Sequence, residues 1–156
     1  MAVGAIPHPR FILPLFAFPY HFVQGDQLQG TVVGGNIRCL LKLAGTPYWP
    51  DMKEKVLLLE ARSGGVAQMT TYLSQLNQMG VFGQVKGVLL GTFTAMEREQ
   101  ESPTIEELVK RFAGDVIPIA KTDRIGHGGD SKAIWIGREI FFEKVNKSLK
   151  NFGDLS

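Results

Sequence analysis

The chain has 156 residues, 44% of them hydrophobic, and 17 basic against 15 acidic side chains for a formal charge of +2. This is too apolar and too neutral for a disordered chain, and it gives no electrostatic basis for nucleic acid as the partner. A single cysteine, Cys39, excludes an internal disulfide or a multi-cysteine zinc site.

Residues 5–20, AIPHPRFILPLFAFPY, form a proline-rich lead. Pro7, Pro9, Pro14 and Pro19 break the apolar run, which is too short for a membrane span and lacks the cleavage pattern of a signal peptide. Residues 1–28 are therefore expected to be extended or loosely packed, with the ordered domain running over 29–143 and a polar tail over 144–156. Gly30–Val33 reads as a strand. Gly34-Gly35-Asn36 then opens a helix carrying Ile37, Leu40, Leu41 and Ala44 on one face, with Cys39 as a small buried residue and Gly45 as the stop. Lys55–Leu59 is a short continuous apolar run, the pattern of a strand buried on both faces. Val66, Met69, Leu73, Leu76 and Met79 recur at helical spacing. Val85–Phe93 is a second buried strand, and residues 97–102 a charged loop. Thr104 and Glu107 form a capping-box pattern that starts a helix ending near Gly114. Val116–Ala120 is a strand whose Pro118 suggests an edge or a bulge. Ala133–Ile136 and Glu139–Phe142 flank Gly137-Arg138 as a β-hairpin. The alternation predicts an α/β domain: a mixed sheet, about three helices and a C-terminal hairpin.

Two residues stand out chemically. Glu60 directly follows the Val56–Leu59 run, so it lies at the C-terminal end of a buried strand, where ligand and catalytic groups gather in α/β sheets. A strand-end carboxylate that merely caps a turn or pairs with a base fits as well. His127 lies among glycines in Arg124–Ser131, RIGHGGDS, which suits either a general base or a surface histidine in a turn. His8 and His21 have no such setting. A Ser–His–carboxylate site also needs a serine on a sharp turn, and no G-x-S-x-G elbow is present. Ser63 comes closest, but it follows Glu60 by three residues.

The runs GGNIRCLLKLAGTPYWPD (34–51), KVLLLEARSGGVAQMTTYLSQLNQMGVF (55–82), VKGVLLGTF (85–93) and IGHGGDSKAIWIG (125–137) resemble the C-terminal half of the LD-carboxypeptidase and microcin-immunity serine peptidases. The resemblance runs in order from about Gln29 to about Phe142. It implies a small swivelling β/β/α domain supplying Glu60 and His127 to a Ser–His–Glu triad. Asn36, Gly126 and Gly128 become candidate substrate-binding positions. The nucleophilic serine is expected on a separate N-terminal domain, which becomes the main partner. The implied substrate is a murein peptide ending in a D-amino acid, cleaved in the cytoplasm during cell-wall recycling, with no metal or cofactor and no role for nucleic acid or membrane. After Glu60 this chain reads Ala61–Gln68, ARSGGVAQ, where many members are acidic with Tyr and Arg, so its substrate preference is expected to differ. Two alternatives remain. One is a catalytically incomplete binding or assembly module, with a homodimer as the expected form of self-association. The other is a small independent enzyme using Glu60 and His127 as an acid–base pair.

Overall fold

The computed structural model describes residues 18–144. In chain order it contains β1 (His21–Gln24), β2 (Gln27–Asn36), α1 (Ile37–Leu41), β3 (Lys55–Ala61), α2 (Val66–Gln78), β4 (Gly87–Phe93), α3 (Thr94–Glu99), α4 (Ile105–Ala113), β5 (Ile119–Lys121) and β6 (Glu139–Glu143). The six strands form one sheet in the order β1-β5-β4-β3-β2-β6. β2, β3, β4 and β5 pair in parallel, and an antiparallel strand closes each edge, β1 on β5 and β6 on β2.

The apolar runs in β3 and β4 are continuous because both faces of the sheet are covered. Leu57, Leu59, Val88 and Leu90 face the layer of helices, where they meet Ile37, Leu40, Met69, Leu73, Leu76, Leu108 and Val109. Val56, Leu58 and Leu89 face the other way, into a smaller cluster with Phe18, Leu28, Val32, Ala120 and Ile125. The helices thus lie on one face, and chain segments without helix cover the other. The capping box at Thr104 and Glu107 forms as the sequence predicts. In α2, Met69, Leu73 and Leu76 are the buried residues, which is the predicted face.

The structure corrects several expectations. Ordered structure begins ahead of Gln29: Phe18 is buried, β1 joins the sheet, and Tyr20 stacks on Phe142 with ring centroids 4.5 Å apart. These aromatics cover the sheet face that no helix reaches. Residues 1–17 and 145–156, most of the lead and nearly all of the tail, lie outside the described residues. The helices among the described residues number four rather than about three, because α3 takes up the first part of the expected charged loop. The strand before α1 extends through Gly34 and Gly35 to Asn36. At Gly34 (φ +105°) an added Cβ would run into the Leu58 carbonyl oxygen, so β2 lies tightly on β3 there.

The expected C-terminal β-hairpin does not form. Residues 133–136 are not a strand. Gly137 (φ +81°) instead turns the chain onto the free edge of β2, with its N–H on the Val32 carbonyl (2.8 Å) and the Val32 N–H on the Arg138 carbonyl (3.0 Å). The long β2 offers β6 a ready partner, so the pairing is non-local. β5 starts one residue after Pro118, where the missing N–H costs no ladder bond, and β1 rather than β5 is the edge. Cys39 lies on α1 as expected but is exposed, because α1 buries Ile37, Leu40 and Leu41 instead.

Candidate active site

Alternation along β3 determines where Glu60 points. Leu57 and Leu59 face the helices, so Glu60 faces the same way as Val56 and Leu58, away from them. It is 8% exposed and sits at the C-terminal edge of the parallel strands. Opposite it the ladder slips. Leu59 pairs with Leu90 but Ala61 pairs with Phe93, so Gly91 and Thr92 of β4 together stand across from Glu60. Gly91 is a close-approach position: a Cβ there would lie 2.5 Å from the Ile125 carbonyl oxygen and 3.1 Å from Glu60 Cβ.

His127 lies on the loop between β5 and β6, and hydrogen bonds hold the Thr122–Lys132 part of that loop. The Arg124 N–H donates to Thr122 Oγ1 (3.1 Å), and the Thr122 hydroxyl donates to the Pro19 carbonyl (2.7 Å). The Ile125 carbonyl accepts from the Thr92 N–H (2.7 Å), and the Lys132 N–H closes on the Arg124 carbonyl (2.6 Å). Arg124 pairs with Asp130. The Ser131 hydroxyl is shared between the Gly126 and Gly128 carbonyls, 2.8 Å from each. At Gly126 (φ +121°) an added Cβ would collide with Thr92 Oγ1 and lie 3.2 Å from Glu60 Oε2, so only glycine fits.

This geometry brings the two sequence-predicted residues together. His127 Nδ1 lies 2.7 Å from Glu60 Oε2. A carboxylate oxygen only accepts, so Nδ1 carries a hydrogen, and in the neutral ring Nε2 keeps its lone pair. The ring is partly exposed, 42% by side chain, and Nε2 has no hydrogen bond among the described residues. The arrangement is a histidine with its tautomer set on one nitrogen and a proton acceptor presented on the other.

The other candidates are placed differently. Asn36 is the register partner of Glu60, and its Oδ1 accepts the Cys39 N–H (3.2 Å) as N-cap of α1. Gly128 is not crowded: a Cβ there would make an ordinary contact at 3.6 Å with the Asp123 carbonyl oxygen. Ser63 lies in the loop between β3 and α2. Thr92 was missed by sequence reasoning. It is 5% exposed and its Oγ1 accepts the His127 N–H at 2.9 Å. Its only trace in the sequence is that Gly91-Thr92 interrupts the apolar run of β4. Among the described residues no cluster of histidine, cysteine, aspartate and glutamate could hold a metal ion, and no helix is long and apolar enough to cross a membrane.

Residues 29–141 match the family described as the LD-carboxypeptidase C-terminal domain. The chain belongs to the LD-carboxypeptidase family. Among curated relatives of this LD-carboxypeptidase domain, a Synechocystis protein named as a carboxypeptidase is 28% identical over 80% of this chain and 42% of its own length. A Bacillus subtilis protein named as a murein peptide carboxypeptidase is 27% identical over 77% of this chain and 39% of its own. The chain thus spans about two-fifths of the length of these relatives. Among solved structures, the microcin C7 self-immunity protein MccF shares the fold, with TM-score 0.68 at 20% identity over 78% of this chain and 37% of that one. An MccF-like protein from Bacillus anthracis gives TM-score 0.62 at 27% identity over 83% of this chain and 40% of that one. Glu60, Thr92 and His127 all fall inside the matched residues of the LD-carboxypeptidase domain.

Proposed function

We propose that this chain is the Glu/His half of a serine-type LD-carboxypeptidase that removes a terminal D-amino acid from murein-derived peptides in the cytoplasm, completed by a domain bearing the nucleophilic serine. The reading rests on one observation: His127 Nδ1 is bound to Glu60 at 2.7 Å while Nε2 stays open. Family membership and the B. subtilis relative named as a murein peptide carboxypeptidase support the reaction class. Among the described residues no serine hydroxyl bonds to His127, and the hydroxyl of Ser131, nearby in sequence, is engaged by backbone carbonyls.

In this mechanism the serine Oγ attacks the carbonyl carbon of the terminal amide as its proton passes to His127 Nε2. Glu60 stabilises the resulting imidazolium through Nδ1–H. His127 then returns the proton to the departing amine of the D-amino acid, leaving an acyl-enzyme. In the second half, His127 deprotonates the water that cleaves the ester and reprotonates serine. The chain should not hydrolyse an L,D-tetrapeptide alone. Mixed with, or fused to, the serine-bearing domain of a full-length relative, it should release the terminal D-amino acid. Hydrolysis by the chain alone at a comparable rate would sink this assignment of the site.

Exposed Trp135 (51%) and Ile136 (53%) favour a second reading, an assembly module, with a homodimer as its simplest form. Sedimentation of the chain as a monomer at high concentration would count against it.

A further inference from the structure

We infer that Thr92 is a positioning residue: its side-chain hydroxyl sets the height and tilt of His127 by accepting the His127 backbone N–H, and so holds the imidazole against Glu60. This deepens the Glu/His reading of the site and rests on it. The ladder slip at Gly91-Thr92 places one extra residue of β4 opposite Glu60, and such slips re-aim a side chain beside a site. Here the re-aimed group is the Thr92 hydroxyl, with Oγ1 2.9 Å from the His127 nitrogen. The same residue holds the loop a second time, through its own N–H on the Ile125 carbonyl at 2.7 Å. These two bonds bracket Gly126, whose missing side chain lets Thr92 and Glu60 close on the loop together.

Thr92 is itself held firmly. The next backbone N–H, that of Phe93, donates to Glu97 Oε1 (3.0 Å), and the buried Lys121 ammonium lies 3.0 Å from that oxygen. Lys121 also reaches Asp123 Oδ1 (2.7 Å) at the start of the histidine loop. One buried cation therefore ties the end of β4 to the loop that carries His127. A hydroxyl on so fixed a backbone is a precise reference point for a ring that must stay within hydrogen-bond reach of Glu60.

The test uses the full chain uniformly labelled with 15N, the His127 signals being assigned by their loss in His127→Gln. In the unaltered chain the His127 amide should exchange with solvent at least tenfold more slowly than that of Gly129, and the ring should show a single Nδ1–H tautomer. Thr92→Val should abolish the amide protection and mix the ring tautomers, whereas Thr92→Ser should restore both. An unprotected His127 amide in the unaltered chain overturns the proposal, whether or not the variants fold. So does a Thr92→Val protein with a wild-type ring signature. Glu60→Gln separates the two levels: it should disturb the tautomer and leave the amide protected. If Glu60→Gln leaves the ring unchanged, the Glu60–His127 pairing has failed, and the inference falls with it for a reason that the Thr92 variants would not reveal.

Discussion

Asn36 and Glu60 are register partners at the C-terminal ends of the parallel strands β2 and β3. Their Cβ atoms therefore leave the sheet on the same face, and the first turn of α1 starts where Glu60 ends its run. Asn36 already has one task, as N-cap to Cys39. Asn36→Ala should lower stability by about 1 kcal/mol in urea unfolding, the usual cost of a lost cap. Asn36→Asp keeps the cap acceptor but places a second carboxylate beside Glu60. It should keep most of the stability and still depress activity in the reconstituted enzyme.

Gly126→Ala is the sharpest steric test of the loop. Its backbone at φ +121° is one that side chains rarely adopt, and the new methyl would strike Thr92 Oγ1. A loss of roughly 1–3 kcal/mol is expected from the backbone alone. Denaturant unfolding measures it, and amide exchange at His127 should accelerate in the same variant.

Glu60→Gln replaces the acceptor that selects the His127 tautomer with an amide that can present its N–H instead. In a Ser–His–Asp site the equivalent change lowers turnover about ten-thousand-fold without disturbing geometry. A fall in kcat of that order is expected for the reconstituted enzyme. An effect below tenfold would assign Glu60 to structure alone.

Stability should depend on Asp123 in acid. Its hydrogen bond with Lys121 holds the carboxyl below its ordinary value of 3.8, partly opposed by burial. A depressed folded-state value means that the charged form favours the folded chain. The contribution is full above the ordinary value and is lost as pH falls below it. Asp123 is largely exposed, so the effect is under about 1 kcal/mol. Asp123→Asn should be slightly less stable than wild type at pH 7, and the gap should close as the pH is lowered well below 3.8.

Leu73 is fully buried at the centre of α2 against the helix-covered face. Leu73→Ala should cost about 2–5 kcal/mol, depending on how far the cluster collapses. Thermal unfolding of the variant, compared with Asn36→Ala, would rank core packing above capping in this domain.

The central strands, α2 and α4 were legible in the sequence because their signals are local. Val56–Leu59 declares a strand buried on both faces by its unbroken apolar run, and Thr104 with Glu107 declares a helix start by spacing. The C-terminal hairpin that the sequence suggests is absent: Ala133–Ile136 has the composition of a strand, but β6 pairs with the open edge of β2 far back in the chain. Cys39 lies on the expected helix but on its exposed side, since the stripe of Ile37, Leu40 and Leu41 that the spacing predicts takes the buried face.

Glu60 and His127 were both singled out in the sequence, one by the strand that it ends and the other by the glycines around it. Composition and spacing determined that much, because strand ends and glycine loops are written in neighbouring residues. That the two side chains meet at 2.7 Å across 67 positions was decided only by the tertiary structure. So was Thr92, a lone threonine in an apolar strand whose hydroxyl matters because a one-residue slip in the ladder aims it at the histidine loop. A register slip is a relation between two strands, and neither strand's sequence records it alone.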